Sequence, residues 1–380
     1  MKEVKFKQTE IGKIPVDWEA RKLGDLIDFV GGSQPPLYNF SLTKKHNYVR
    51  LIQIRDYKSD RFKVYISKTL TNKFCGVDDI MIGRYGPPIF QILKGIKGAY
   101  NVALLKAIPT DEIDKNYTWQ FLRNKSLFNF VEKLSQRSSG QTGIDLAELK
   151  QYQIPLPPLA EQEKIAEVLS DTDLWIESTE ALLAKKRQIK KGAMQKLLSP
   201  KEDWEVRKLG EVCEILNNLR IPIKESSRVK GDIPYYGANG IQGYVKGFTH
   251  EGENVLVAED GANDLNNYPI NYVKGKIWVN NHAHVLQGKI SILTSRFLSY
   301  LLKSIDFQNV LVGGTRAKLN KSILEKIELP FPPLKTQQEI AEILSSMDLE
   351  LESLGNRLQK ARQLKQGMMQ DLLTGKVRLV

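Results

Sequence analysis

The sequence predicts an α+β protein built as an internal repeat: two similar globular heads separated by two long antiparallel helices, which pair as a coiled-coil rod with pseudo-twofold symmetry. Three observations predict it. A proline pair leading into an amphipathic helix occurs twice, as "IPLPPLAEQEKIAEVLS" at 154–170 and "ELPFPPLKTQQEIAEILS" at 328–345. After each pair, apolar residues recur at spacings of three and four over about 38 residues. Before each pair, short β-type runs alternate with glycine-rich turns.

The first head is announced by "DWEARKLGDLIDFVGG" from Asp17, which returns as "DWEVRKLGEVCEILNN" from Asp203, 186 residues later. The helix phrases match at an offset of 175, from Pro157/Pro332 through Asp173/Asp348 to Gly192/Gly367 and Leu198/Leu373. The chain therefore reads head (1–150), helix region (151–199), head (200–327), helix region (328–380). A repeat this long that occurs twice is a duplicated domain with its helix, not a solenoid module.

Within the heads, strands are expected at 47–57, 78–86 and 99–108, and at 253–261 and 276–288, with short helices at 118–134 and 295–306. The sheets are expected to be antiparallel or mixed. "GANGIQG" (237–243) reads as a turn between strands. At an offset of 175, "DDIMIGRYG" aligns with "ENVLVAEDG", so Arg84-Tyr85 becomes Glu259-Asp260 on the same strand. At an offset of 180, Asn101 and Ala103 match Asn281 and Ala283, while Val102 and Leu104 become His282 and His284. One scaffold with different polar tips fits two heads that recognise different things; drift of surface residues after duplication gives the same pattern.

In the helices, the proline pairs block earlier helix and set the first turn. Glu161 and Glu163 lie near the first N-terminus and Lys185, Lys186, Arg187, Lys190 and Lys191 near its end, which suits the helix dipole. The expected seams are Ile165, Val168, Leu169, Trp175, Ile176, Leu182, Leu183, Ile189 and Leu197 in the first helix. In the second they are Ile340, Ile343, Leu344, Met347, Leu351, Leu354, Leu358, Leu364, Met368 and Leu372. Because the first helix runs into the second head and the second helix leaves that same head, pairing of the seams requires an antiparallel arrangement. At 1.5 Å per residue each helix is roughly 57 Å long, the length of a spacer.

Composition limits the function. Hydrophobic content of 41% and charged content of 26% describe a globular protein. The first residues, MKEVKFKQTE, lack the apolar core of a signal peptide, and no window approaches eighteen uninterrupted apolar residues, so no membrane association is expected. Cys75 and Cys213 stand in no metal-type spacing and are expected reduced, in a cytoplasmic protein. The net charge is +12, and residues 1–150 hold 25 Lys and Arg against 16 Asp and Glu. That excess points to a polyanionic partner or to a solvated basic surface.

Catalytic signatures are scarce. There is no G-x-x-x-x-G-K-[ST] phosphate cradle, no nucleophile elbow, and no histidine partner in sequence for either cysteine. No metal site is expected: His282 and His284 have no nearby cysteine or third histidine, and structural or base-contacting roles fit them better. The polar loops suit DNA, since Arg and Lys reach guanine edges, Asn and Gln adenine edges, and Ser or Thr phosphates. Candidate DNA contacts are Lys44, Lys45, Arg84, Tyr85, Arg137, Gln141 and Thr142 in the first head. In the second they are Asn217, Arg220, Arg228, Lys230, Asn239, His282, Arg316 and Lys318. Glu259 or Asp260 either accepts from cytosine N4 or pairs within its own head.

The two units, each trailed by a proline-pair helix ending in "KKRQIKKGAMQKLLS" or "ARQLKQGMMQDLLTG", and the lead-ins "IGKIPVDWEARKLGDL" and "DWEVRKLGEV", resemble the specificity subunit of type I restriction-modification systems over essentially the whole chain. The resemblance implies that each head is a target-recognition domain reading one half of a split duplex DNA sequence. The helices then set the gap and dock modification subunits, two of them, with a restriction subunit joining in a full complex. It implies that this chain is not an enzyme and binds no cofactor. S-adenosylmethionine, ATP and Mg²⁺ are then expected on the partner subunits. Arg187, Lys190, Gly192, Arg362, Lys365 and Gly367, at the basic helix ends, are the candidate docking residues. Two other classes compete: a methyltransferase carrying its own target domains, and a duplicated protein-interaction scaffold without DNA sequence specificity.

Overall fold

Two repeated phrases lie at opposite ends of each head, and the structure brings them together. The computed structural model describes residues 5–135, 143–311 and 318–379. It divides into two compact units: Met1–Thr179 with Leu358–Val380, and Glu180–Arg357. In the first, strand Glu19–Lys22 of the lead-in pairs antiparallel with Gln153–Leu156, directly before the proline pair. In the second, Glu205–Lys208 pairs with Glu328–Phe331 in the same register. The tryptophan opening each lead-in, Trp18 or Trp204, is buried in its unit's core. Burying so large an apolar group drives the ribbon onto the sheet behind it.

Each unit has a four-stranded main sheet of the same strand order and a second sheet, of four strands in the first unit and three in the second. The main sheet of the first unit runs Ile27–Gly31, Leu104–Pro109, Ile80–Gly83, Gln91–Leu93, all antiparallel. Its counterpart runs Cys213–Ile215, Ala283–Gly288, Glu253–Ala258, Ile270–Lys274. The second sheet is mixed in both. Tyr48–Ile52 lies parallel to Gly98–Tyr100 in the first unit, and Ile233–Gly237 parallel to Trp278–Val279 in the second. The α+β class with antiparallel and mixed sheets is thus as expected, and "GANGIQG" does form a tight hairpin with Gly240 at φ +109°.

The runs 99–108 and 276–288, expected as single strands, are each two strands in two different sheets. The break is an asparagine. Asn101 Oδ1 accepts the N–H of Ala103 (3.2 Å) and Asn280 Oδ1 that of His282 (2.8 Å), so a side chain takes over the turn. Asn101 N–H also donates to Ile52 O and Asn280 N–H to Tyr236 O, from equivalent strands. The true correspondence is therefore Asn101/Asn280, an offset of 179. The sequence alignment at 180 is one residue out, and His282 stands where the first unit has Ala103.

The long helices span Leu159–Leu197 and Leu334–Leu372, 39 residues each. Each is tied to the head from which it starts by a buried glutamine. Gln162 Nε2 donates to Pro157 O (2.9 Å) and Glu112 O (3.2 Å), while Oε1 accepts from Asp114 N (2.7 Å). Gln337 repeats this with Pro332 O (2.8 Å), Ile292 O (2.8 Å) and Thr294 N (3.0 Å). Asp114 and Thr294 are the N-caps of helices Lys115–Leu122 and Ser295–Lys303, so one amide joins two helix starts.

The inward stripe differs in part from the expected seams. In the first helix the inward stripe runs through Ile165, Leu169, Thr172, Ile176, Thr179, Leu183, Lys186 and Lys190, alternating by four and three. Trp175, Leu182 and Ile189, counted as seam, are 40 to 46% exposed. In the second helix Ile340, Leu344, Met347, Leu351, Leu354, Leu358, Ala361 and Lys365 keep the same heptad beat, while Ile343 and Leu364 face out. Threonine and lysine stem atoms fill positions that a search for apolar residues passes over.

Lys190 and Lys365, expected to meet a partner, close salt bridges across the helices instead. Lys365 pairs with Asp173 inside the first unit, and Lys190 with Asp348 inside the second. The two aspartates and the two lysines are each 175 residues apart, so the pairs are reciprocal. Each aspartate has a second anchor on a head helix: Gln120 Nε2 (3.0 Å) and Arg123 Nη1 (2.7 Å) for Asp173, and Tyr300 Oη (2.8 Å) for Asp348. Burial works to raise the Asp173 carboxyl, and its three donors hold it below the ordinary carboxylate range. The pairing fixes the helices antiparallel within each unit. Replacing Asp173 by Ala strands a buried ammonium and is expected to cost about 3 kcal/mol in urea unfolding, whereas Asp173→Leu with Lys365→Met together recover most of that loss.

Candidate nucleic-acid interface

Beyond the strand Ile80–Gly83 the chain turns at Arg84, and beyond Glu253–Ala258 it turns at Glu259. Their backbone N–H groups donate to equivalent carbonyls, Ala103 O and His282 O, both at 2.9 Å. The two tips are therefore one frame carrying different side chains.

In the first unit, Arg84 reaches Val102 O (3.4 Å) and lies over the half-exposed Tyr85 ring at 5.3 Å. Tyr85 forms a bridge with Gly143, next to Gln141 and Thr142. Those two, with Arg137, lie outside the described residues. The Arg84–Tyr85 pair presents a cation on a flat ring, a surface suited to phosphate and base faces. Lys44 and Lys45 are exposed on a different loop, with Lys45 over the Tyr48 ring at 5.5 Å. They and Arg84 belong to separate clusters.

In the second unit the exchange of Arg84 for Glu259 is neutralised locally. Glu259 Oε2 takes Arg220 Nη1 (2.7 Å) and Oε1 takes Lys318 Nζ (3.2 Å), so Glu259 pairs within its head and is not offered to a base. Burial acts to raise its carboxyl, but the hydrogen bonds from Arg220 and Lys318 outweigh burial and hold it low. Arg220 also donates to Ala283 O (2.9 Å) and Asn217 O (3.0 Å). His284 is fully buried. Its Nε2–H donates to Leu319 O (2.6 Å), which leaves Nδ1 to accept from Asn217 Nδ2 (2.8 Å), and burial pulls its pKa down. Asn217 Oδ1 accepts from Val285 N (3.1 Å) and Asn239 is held by Gly261 O and Asn263 N. The structure thus gives Asn217, Arg220 and Asn239 work inside the head, holding the loops that carry the tip.

Facing outward are His282, whose Nδ1 lies 2.6 Å from Asp260, and the exposed Lys318. Arg228 stacks on Tyr235 at 4.1 Å and Lys230 beside it is exposed, at the place the first unit gives to Lys44 and Lys45. Arg316 lies outside the described residues. Sequence reasoning missed the glutamines Gln162 and Gln337, although their shared offset inside the repeated phrase marks them. It also missed the Asn217–His284–Leu319 chain, which spans about a hundred residues and leaves no local signal.

Of the docking candidates, Arg187 lines a groove of about 590 Å³ with Lys191 and Lys303, and Arg362 is exposed. Gly192 and Gly367 continue their helices without interruption, and a Cβ at either would meet open space. Both cysteines are buried, their thiols pushed up to about 11 (Cys75) and about 12 (Cys213), which makes poor nucleophiles. Among the described residues no group of three or more His, Cys, Asp or Glu is arranged to hold a metal ion, and no helix is long and apolar enough to cross a membrane.

The family model of the type I restriction modification DNA specificity domain matches twice, at 15–187 and 201–363, each time covering a head and most of its long helix. The chain belongs to this family. It is 27% identical to the MjaVIII type I restriction enzyme specificity subunit of Methanocaldococcus jannaschii, in an alignment covering 100% of this chain and 97% of that one. A Haemophilus influenzae chain assigned as a type I restriction enzyme specificity subunit is 51% identical over 155 residues, a match that spans 40% of either chain. The crystal structure of the type I specificity subunit of M. genitalium superposes with a TM-score of 0.68 at 19% identity, covering 97% of this chain and 98% of that one. Specificity subunits are non-catalytic by name, and the two matched domains are DNA specificity domains.

The Glu259 cluster makes its own prediction. A carboxyl held low in the folded state stabilises it above pH 4.5, the ordinary glutamate value, and that stabilisation is lost as pH falls through the depressed folded value. Glu259→Gln is therefore expected to lower stability fully at pH 7 and progressively less below pH 4.5, read from urea midpoints across pH.

Proposed function

We propose that this specificity subunit reads a bipartite duplex target, one half with each unit, while its two helices set the gap and dock two modification subunits. The observation that carries the reading is the shared frame with different tips. Equivalent strands and an equivalent asparagine turn hold Arg84-Tyr85 in one unit and the neutralised Glu259 cluster with His282 in the other. Surface drift after duplication changes side chains, but it does not by itself supply the exchanged carboxylate with a cation on each oxygen, as Arg220 and Lys318 do for Glu259.

Methyl transfer from S-adenosylmethionine and ATP-driven, Mg²⁺-dependent cleavage belong, in this proposal, to partner subunits. The absence of a phosphate-cradling motif in the sequence and the two buried thiols support that division. The partner surface is the outward side of the long helices, where Leu174 (63% exposed) and Leu349 (67%) occupy equivalent positions 175 residues apart. A surface that occurs twice suits two copies of one partner.

The deciding experiment is selection from random duplex DNA with the subunit assembled with its modification subunit. The expected result is two short motifs at a fixed spacing; binding that is steeply salt-dependent but enriches no motif would leave only non-specific phosphate contact. The spacing has its own test. Inserting seven residues, one heptad, at matched positions in both helices keeps the buried stripe in register and adds about 10 Å. The recovered gap is expected to widen by about three base pairs at a rise of about 3.4 Å, and an unchanged gap would refute the helices as the ruler.

A further inference from the structure

In the first unit, three large apolar side chains stand in solvent within six residues: Leu37 is 76% exposed, Tyr38 86% and Leu42 81%. Single exposed apolar residues are ordinary on protein surfaces, but three together are an uncovered patch. The segment that carries them is firmly held. Pro35 is buried, Phe40 packs against Leu51, Ile66 and Ala99, and Ser41 exchanges both backbone hydrogen bonds with Tyr65 at 2.9 and 2.8 Å. Between these anchors Leu37–Asn39 is a short 3₁₀ turn, closed by Asn39 N to Pro36 O and Phe40 N to Leu37 O, both 3.0 Å. The backbone is fixed and the side chains are presented.

Two features say what covers them. Lys44, Lys45 and His46 follow at once and are exposed, within the segment that carries the chain's main excess of positive charge. The base of the loop also lies beside the reading tip. Gly32 lies so close to the Asn101 turn that a Cβ there would sit 2.1 Å from Asn101 O, and Arg84 reaches that same turn through Val102 O. An apolar point with cations behind it, on a loop whose base packs against the turn that Arg84 touches, matches stacked bases bordered by phosphates better than a protein groove.

We infer that Leu37 and Tyr38 form a wedge that enters a base step of the first unit's half-site, with Lys44 and Lys45 on the flanking phosphates. Apolar wedges unstack and kink duplexes, most readily at flexible pyrimidine–purine steps, and so add specificity through deformability. Ile221 N donates to Val279 O just as Ser33 N donates to Tyr100 O, so the segments match at an offset of 188, and the second unit's corresponding 3₁₀ turn, Glu225–Ser227, carries no large apolar side chain. The wedge belongs to one head. The inference rests on the DNA-reading function proposed above.

The test compares the full-length chain with a Leu37→Ser/Tyr38→Ser variant, each assembled with the modification subunit, in selection from random duplex DNA. Among the described residues these side chains are 76% and 86% exposed, so the variant is expected to fold as the parent does. It should retain the second unit's half-motif, while enrichment of the first unit's half-motif falls at least about tenfold, the size of one lost base-pair discrimination. 2-Aminopurine placed at the affected step of the recovered duplex should brighten on binding the parent and not the variant, and Tyr38→Phe should behave as the parent. Equal recovery of both half-motifs with equal fluorescence overturns the wedge. Loss of the modification subunit from the variant complex also overturns it, assigning the patch to protein contact. No motif from the parent chain would instead fail the DNA-reading function, and the wedge with it.

Discussion

The amides of Gln162 and Gln337 lie where three chain segments meet: the first proline of a proline pair, the start of a long helix, and the stretch leading into and including the cap of a head helix. Both glutamines are buried there, each faced by two backbone carbonyls and one backbone N–H, so a side chain with both donors and an acceptor is needed. Asn is one methylene too short, and Glu could accept but not donate. Once the glutamine is in place, the direction in which the long helix leaves its head is set by three hydrogen bonds rather than by a flexible joint. The ribbon of lead-in and pre-helix strands depends on this, because both of its strands end within a few residues of the amide's partners.

Farther along each helix, the Asp–Lys pairs fix what the glutamine cannot. A buried ion pair contributes little net stability against an apolar pair of the same size, because desolvation of both charges offsets their attraction. What it does impose is register. In a heptad stripe filled by Leu, Ile, Met and Ala, a slip by one heptad costs little, but a slip that separates Asp173 from Lys365 buries two unmatched charges. The head helices strengthen the constraint by donating from Gln120 and Arg123, or from Tyr300, to the same carboxylates. Helix register is thereby tied to the head it passes.

The fold class, the duplication and the helix starts were legible in the sequence because they rest on local signals: proline pairs, tryptophan lead-ins and turn glycines. The tips Arg84 and Glu259 were aligned correctly, but the alignment of the asparagine turn was off by one residue because the two heads differ in loop length, and the backbone partners of Asn101 and Asn280 reveal the true offset. The seam was partly misread for a different reason. Thr172, Thr179 and Lys190 occupy inward positions, while Trp175 and Ile189 face out, so hydrophobicity and burial part company along the first helix. Asn217, Arg220 and Asn239 looked like base readers by residue type. Their hydrogen-bond partners within the head lie tens of residues away, Asn239 making its bonds at the surface, and no periodicity encodes such partners.

The change from Arg84 to Glu259 has an electrostatic consequence for the way one scaffold acquires two readings. A lone carboxylate at a DNA-facing tip would repel phosphate, so the exchange is tolerable only with compensation. Arg220 and Lys318 supply it, each on one carboxylate oxygen, while His284 beneath stays neutral because it is buried. The compensating residues come from segments on either side of the strand pair, the loop after Cys213–Ile215 and the stretch before helix Lys321–Leu324. Those are the segments that also differ in length and composition between the heads. A tip side chain in this frame therefore cannot vary alone: each change in what is presented to DNA draws matching changes in the two loops that support it. The loops and the tip form one electrostatic unit, while the main sheet, ribbon and glutamine that carry them remain the same in both heads.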